Sequence, residues 1–265
     1  MTYLTIKCYI NTSSQKTISI TPSIMSTAKR IEEKVSSFDE GTTFKYDQLS
    51  IDNSEYGAAT KAIERLISKD AVKRISKGLF YKPKKSLFGE LKPNEEQLLK
   101  AYMYEGDNRI AYITGLSLYN RMGLTTQVPK TVTLACNKKR INTEIDNLKV
   151  KSVKSYVNPT DDNIRFLEIL DAIKDFKKIP DLDIDNAISQ LQGRIRDLDA
   201  TDRNKVITYA LQYPPRVRAL LGALLTDQDF NSAFPKLKNS LNPLSSYEFG
   251  SLSSSLSTAQ NWNIV

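Results

Sequence analysis

DNSEYGAATKAIERLISKDAVKRISKGLFYKP, residues 52–83, is the stretch that decides the fold. In its first half Ala59, Ile63, Leu66 and Ile67 recur at helical spacing, which predicts a helix over 55–69 with one inward stripe. Asp52, Asn53 and Ser54 offer side-chain oxygens to the amides that open that helix. Beyond Asp70 the period changes. Val72 and Ile75 fall on one short strand and Leu79, Phe80 and Tyr81 on the next, with Ser76, Lys77 and Gly78 as the turn. Upstream, Ile24, Ala28, Ile31, Val35 and Phe38 mark an amphipathic helix whose other face carries Lys29, Arg30, Glu32 and Glu33. Gly41 ends it, Phe44 is a short extended position, and residues 46–50 make about one turn of a second helix around Leu49. Three helices followed by a tight hairpin predict a winged helix-turn-helix over residues 24–85.

The third helix is the groove reader of such a module. Its residues outside the core stripe are Tyr56, Gly57, Ala58, Thr60, Lys61, Glu64 and Arg65. Small residues permit close approach to a duplex. Tyr56, Thr60 and Lys61 are the expected groove contacts and Arg65 a phosphate contact. The wing, residues 69–85, holds Lys69, Lys73, Arg74, Lys77, Lys82, Lys84 and Lys85 against the lone acid Asp70. That is a net +6, most of the +8 of the whole chain. A hairpin so basic fits backbone or minor-groove contact. Winged helices also serve as protein-interaction modules, and that alternative stays open at this point. A second basic run, Lys138, Lys139 and Arg140, is followed by Lys149, Lys151 and Lys154 on a strand. It reads as further phosphate contacts, an acidic-protein surface or an ordinary solvated face.

The rest of the chain is expected to be α+β, mainly α, in consecutive pieces. Residues 1–23 read as weak strands that form an N-terminal extension or, with Met25 as an alternative start, a leader; they lack the apolar core of a signal peptide. Residues 86–93 look like a linker. A small α/β domain over 93–158 is predicted from helices at 93–104 and 111–122 and strands at 131–136 and 148–156. A helical region over 159–238 follows, broken at Pro214 and Pro215. The Ser-rich tail, 239–265, is expected to be mostly irregular and pinned by Tyr247, Trp262 and Ile264. Arg216 and Arg218 sit in the first turn of a helix, where the dipole disfavours cations, so they call for carboxylates or a bound acidic ligand.

Composition narrows the chemistry. The chain has no histidine, which removes Ser-His-Asp and Cys-His catalysis and the HExxH proteases. Cys8 and Cys136 are too few and too far apart for a zinc site or a disulfide framework, which suits a reducing cytoplasm. No apolar run is long enough to span a membrane. Asp181, Asp183 and Asp185 could hold Mg²⁺, but such alternating acids more often cap the helix that follows. No phosphate-cradling glycine loop occurs. A binding protein without cofactor or metal, rather than an enzyme, is the expectation.

Residues 59–81, with Ile63-Glu64-Arg65-Leu66 and the run Val72 to Tyr81, resemble the winged-helix domain of AbiEi-type antitoxins. YITGLSLYNRMGLTTQVP, residues 112–129, resembles the start of that family's second domain. YPPRVRALLG (213–222), together with Leu241, Asn242, Pro243, Tyr247 and Gly250, is similar to related regulators. The resemblance covers about residues 25–260 and leaves out the extension. It implies the antitoxin of a type IV toxin–antitoxin pair with a role in phage defence. Such a protein represses its own operon at inverted repeats and opposes a nucleotidyltransferase toxin. It transfers the DNA-contact role only to the third-helix and wing residues named above. The long helical C-terminal region departs from a minimal two-domain antitoxin.

Overall fold

Ser26 opens the first helix, its hydroxyl accepting from the Lys29 amide, and α1 runs from Thr27 to Ser36. The computed structural model describes the backbone of residues 25–86, 89–145, 147–226, 234–250 and 252–265, so the extension read over 1–23 lies outside the described residues. After α1 come β1 (Thr43–Lys45) and a 3-10 turn (Tyr46–Leu49). A second 3-10 turn (Asn53–Glu55) leads into α2 (Tyr56–Ser68), followed by β2 (Lys73–Ser76) and β3 (Leu79–Tyr81). The strands form an antiparallel sheet in the order β1-β3-β2. This is the helix, short strand, turn, helix and hairpin order of a winged helix.

The two-residue period of the strands sorts this sheet into two faces. Phe44 and Phe80, paired across β1 and β3, pack with Ile31, Val35, Ile63 and Leu66 of the helices. Thr43 and Leu79 face the other way, onto α3 (Glu95–Met103). The predicted linker is in fact a hairpin, β4 (Lys84–Ser86) paired with β5 (Gly89–Leu91). It escaped the sequence because neither arm alternates in polarity. What organises it is a local bond, Ser86 Oγ donating to the Gly89 carbonyl at 2.7 Å, and a tertiary ion pair between Glu90 and Lys73.

A small hairpin, β6 (Tyr104–Glu105) and β7 (Asn108–Arg109), follows α3. The central sheet comprises β8 (Ala111–Thr114), β9 (Thr131–Cys136), β10 (Asn142–Ile145) and β11 (Leu148–Lys154), in the order β10-β11-β9-β8. Only the β9–β11 pairing is parallel. The helix expected over 111–122 is therefore half strand: α4 spans only Leu116–Arg121. Gly115 causes the break. Its φ of +68° and ψ of −151° are open to glycine almost alone, and a Cβ there would meet the Thr133 side chain at 3.2 Å. One face of the sheet, through Ala111, Val132, Leu134, Ile145 and Val150, packs on α3 and, beyond it, on Leu79. On the opposite face Tyr112 and Ala135 join the C-terminal core.

That core is built from α5 (Ile164–Asp175), α6 (Ile184–Arg196), α7 (Ala200–Ala210) and α8 (Pro215–Thr226), with α9 (Phe234–Lys238) alongside. Asp171 on α5 is buried and fully engaged. Its carboxylate accepts from Tyr112 Oη at 2.9 Å, Thr114 Oγ1 at 2.6 Å, Tyr213 Oη at 3.3 Å and Lys174 Nζ at 2.7 Å. The acid thus joins β8, α5 and the residues leading into α8. Burial, followed by the charge of Asp171, pushes the Tyr112 and Tyr213 hydroxyls far above their ordinary range, so both remain donors. Arg216 and Arg218 find backbone carbonyls rather than the expected acids: Arg216 donates to Lys174 O at 2.6 Å and Arg218 to Ser240 O at 2.8 Å.

The tail is less irregular than expected. It holds α10 (Leu252–Ser255) and a 3-10 turn (Ala259–Trp262), and Tyr247 bridges Ile264. Trp262 and Ile264 are buried in the helical core, as the sequence indicates, and the indole nitrogen donates to Thr226 Oγ1 at 2.8 Å. The whole is α+β with helix predominating. Among the described residues no helix is long and apolar enough to cross a membrane.

Candidate nucleic-acid interface

The start of α2 is fixed by Glu55. Its carboxylate accepts from Thr27 Oγ1 at 2.7 Å, from the Asp52 amide at 3.1 Å and from the Arg30 guanidinium. One acid therefore ties α1 to the first turn of α2. The Thr27 bond, then the Asp52 amide and Arg30, hold its pKa down at about 2. A fixed negative charge at this end also favours the helix dipole. The Asp52-x-x-Glu55 spacing was a readable capping signal; the reach to Thr27 and Arg30 was not.

Ala59, Ala62, Ile63 and Leu66 turn α2 inward. Its outward face carries Tyr56, Gly57, Ala58, Lys61, Glu64 and Arg65, all exposed. The Tyr56 ring is half exposed and rests on Tyr46, with centroids 4.8 Å apart; Tyr46 in turn meets Phe80 edge-on at 5.3 Å. This aromatic stack sets the Tyr56 ring at the N-terminal end of the outward face. Thr60 is half buried, and its hydroxyl donates to the Tyr56 carbonyl at 3.0 Å.

The wing cations divide by strand face. Arg74 pairs with Phe80 across the sheet, on the side of α1 and α2. It is exposed, with its guanidinium 5.5 Å from the Phe80 ring centre. Lys77, beside the Gly78 turn (φ +75°), is exposed. Lys73 points to the opposite face and pairs with Glu90 at 2.5 Å and Asp70 at 3.9 Å. Chiefly the Glu90 hydrogen bond raises its pKa. Lys82 is committed to the fold: Nζ donates to the carbonyls of Ser36 at 2.8 Å and Phe38 at 2.7 Å, capping the end of α1. Lys84 and Lys85 are exposed on β4. The exposed candidates on α2 and the wing are thus Tyr56, Lys61, Arg65, Arg74 and Lys77.

The second basic run is divided by its partners. Lys138 pairs with Glu105 at 3.2 Å and Lys139 with Asp47 at 3.9 Å, the latter joining the central domain to the winged helix. Arg140 is exposed beside them. At the same joint the Lys45 ammonium sits 3.1 Å from the centre of the Tyr102 ring. Burial, then Lys139, lowers the Lys45 pKa to about 8. Lys149 and Lys151 are exposed on β11 with buried Val150 between them. Of the three acids weighed as metal ligands, Asp183 caps α6 through the Asn186 amide, and Asp181 accepts from Gln127 Nε2 at 2.8 Å.

A family model matches residues 30–193, covering the winged helix, the central sheet and the start of the helical core. The chain belongs to the DUF6088 family, a family of unknown function. No curated protein matches this DUF6088 chain. Among solved structures it is similar to the crystal structure of the Rv2827c protein from Mycobacterium tuberculosis, with a TM-score of 0.50 and 10% identity over 90% of each chain. At that identity the likeness speaks for the fold alone. It extends over the winged helix, sheet and helical core together.

Proposed function

We propose that this DUF6088 protein binds double-stranded DNA, with α2 entering a major groove and the wing following the neighbouring backbone. The observation that supports this is the uncovered outward face of α2. Gly57 and Ala58 allow close approach, Tyr56 and Lys61 can reach base edges, and Arg65, Arg74 and Lys77 are exposed to meet phosphates. Lys73 and Lys82 are spent on internal partners and are left out of this reading. Lys61, Arg65, Arg74, Lys77, Lys84 and Lys85 then supply about six phosphate-neutralising charges, for a log–log salt slope of about −5.

The biological role follows from the resemblance of residues 59–81 and 112–129 to AbiEi-type antitoxins. On that reading the protein is a cytoplasmic autorepressor and antitoxin that opposes a nucleotidyltransferase toxin. A mobility-shift titration on the DNA upstream of its own gene, against a random duplex of equal length, tests the binding. The upstream DNA should be preferred, and affinity should fall steeply with salt. Equal affinity for both duplexes would overturn the specific-regulator reading. Loss of partner capture on charge reversal at Arg74 and Lys77, with DNA affinity unmoved, would make the winged helix a protein-interaction module.

A further inference from the structure

The register of β11 separates Lys149 and Lys151 from the proposed duplex surface. Val150 points into the cluster that contains α3 and Leu79, so the residues flanking it point the opposite way. From α2 outward the layers are the wing sheet, α3 and then the central sheet, with Lys149 and Lys151 on its far side. At ordinary layer spacings that is about 30 Å of packed protein. One duplex lying on α2 does not reach these lysines.

The C-terminal helices cover only part of that far face. α4 and α5 pack over β8 and β9, leaving the β10–β11 half open. There Lys149, Lys151 and Val153 form a row along β11. Asn142 and Glu144 of β10 stand opposite Lys151 and Lys149 in the register. A shallow cleft of about 430 Å³ runs through Thr131, Asn142, Glu144, Lys149 and Lys151. Neither Lys149 nor Lys151 has an ion-pair partner among the described residues. β10 is also the last strand of its sheet, with β11 as its only strand neighbour among the described residues.

We propose that this open half-sheet docks an extended acidic segment of a partner protein, which adds as a strand along β10 and reaches over β10 with its carboxylates to Lys149 and Lys151 on β11. Two features favour a peptide over a nucleic acid. An added strand satisfies the outward amides and carbonyls of an edge, which a phosphate backbone does not. The row of lysines also ends in apolar Val153, which is 39% exposed and offers a side-chain seat rather than a phosphate contact.

The test uses the full-length protein and a fluorescein-labelled octapeptide of alternating glutamate and valine, read by anisotropy at low salt. Three controls accompany it: the lysine–valine peptide, the glutamate–valine peptide with alternate backbone nitrogens methylated, and a single-stranded oligonucleotide of equal charge. The acidic peptide should bind at least tenfold tighter than either peptide control. It should lose at least tenfold on Lys149→Glu with Lys151→Glu, and it should stay bound when saturating duplex occupies the winged helix. The double variant should keep the wild-type melting temperature and operator affinity. Absence of peptide binding, equal binding by the double variant, equal binding of the methylated peptide, or displacement by duplex would overturn the proposal. An oligonucleotide that binds more tightly than the peptide and loses affinity on the same substitutions would make the face a nucleic-acid site instead.

Discussion

Gly222→Ala should destabilise the protein, although alanine is the better helix former. Gly222 lies within α8, where Ala is worth about 1 kcal/mol over Gly by propensity alone. A Cβ at this position would, however, fall 2.3–2.5 Å from three atoms of the Trp262 ring. The indole has to retreat by about 1 Å to restore contact distance, an overpacking cost of about 1–3 kcal/mol. Retreat also weakens its 2.8 Å bond to Thr226, a loss of about 1 kcal/mol. Set against the propensity gain, the net loss is about 2 kcal/mol, or a drop of roughly 4–8 °C in melting temperature for a chain of this size. Trp262 is the only tryptophan, so its emission reports the site directly and should shift to the red. The decisive control is Trp262→Ala, where the clash is gone and Gly222→Ala should become stabilising by about 1 kcal/mol in circular-dichroism melts. A rise in melting temperature in the wild-type background, or the same drop in both backgrounds, would refute the packing argument.

Other expectations follow from the same geometry. Lys82→Met should cost about 1 kcal/mol through the lost α1 cap yet leave the DNA salt slope unchanged, whereas Lys61→Met should flatten the slope by about 0.9 with little effect on stability. Asp171→Asn strips the half-buried Lys174 of its nearer partner inside a buried network and should cost about 3–5 kcal/mol in denaturant titrations; loss of less than 1 kcal/mol would mean that the network is solvated. The folded-state pKa of Glu55, about 2, lies below its ordinary value of 4.5. Its contribution is complete above pH 4.5 and is lost as pH falls through 2, and Glu55→Gln should remove that part of the acid dependence. For Lys45 the folded pKa of about 8 lies below 10.5, so the folded state resists protonation. Stability should rise between pH 8 and 10.5, and Lys45→Met should flatten the rise.

The winged helix was legible in the sequence because its determinants are local. The stripe Ala59, Ile63 and Leu66, the Gly78 turn and the apolar run Leu79–Tyr81 each act within a few residues, and the structure follows them within one or two positions. The helices from 164 to 226 were legible for the same reason, since their spacing and the Pro214–Pro215 break are chain-local. The reading failed where a distant contact overruled a local preference. Residues 111–114 became a strand because Gly115 reverses the chain against Thr133, and Tyr112 and Thr114 then meet Asp171 some 57–59 residues away. Residues 84–86 and 89–91 became paired strands with Glu90 bound to Lys73.

The candidate site divides the same way. Sequence supplied the list of basic residues, because charge is a property of composition. Only the tertiary structure decided which of them remain available: Lys73 and Lys82 are taken by partners on other elements, while Lys61, Arg65, Arg74 and Lys77 stay exposed. The side of the sheet on which Lys149 and Lys151 stand was likewise beyond reach of the sequence. A strand's period of two says that they share a face, and only the packing of Val150 says which one.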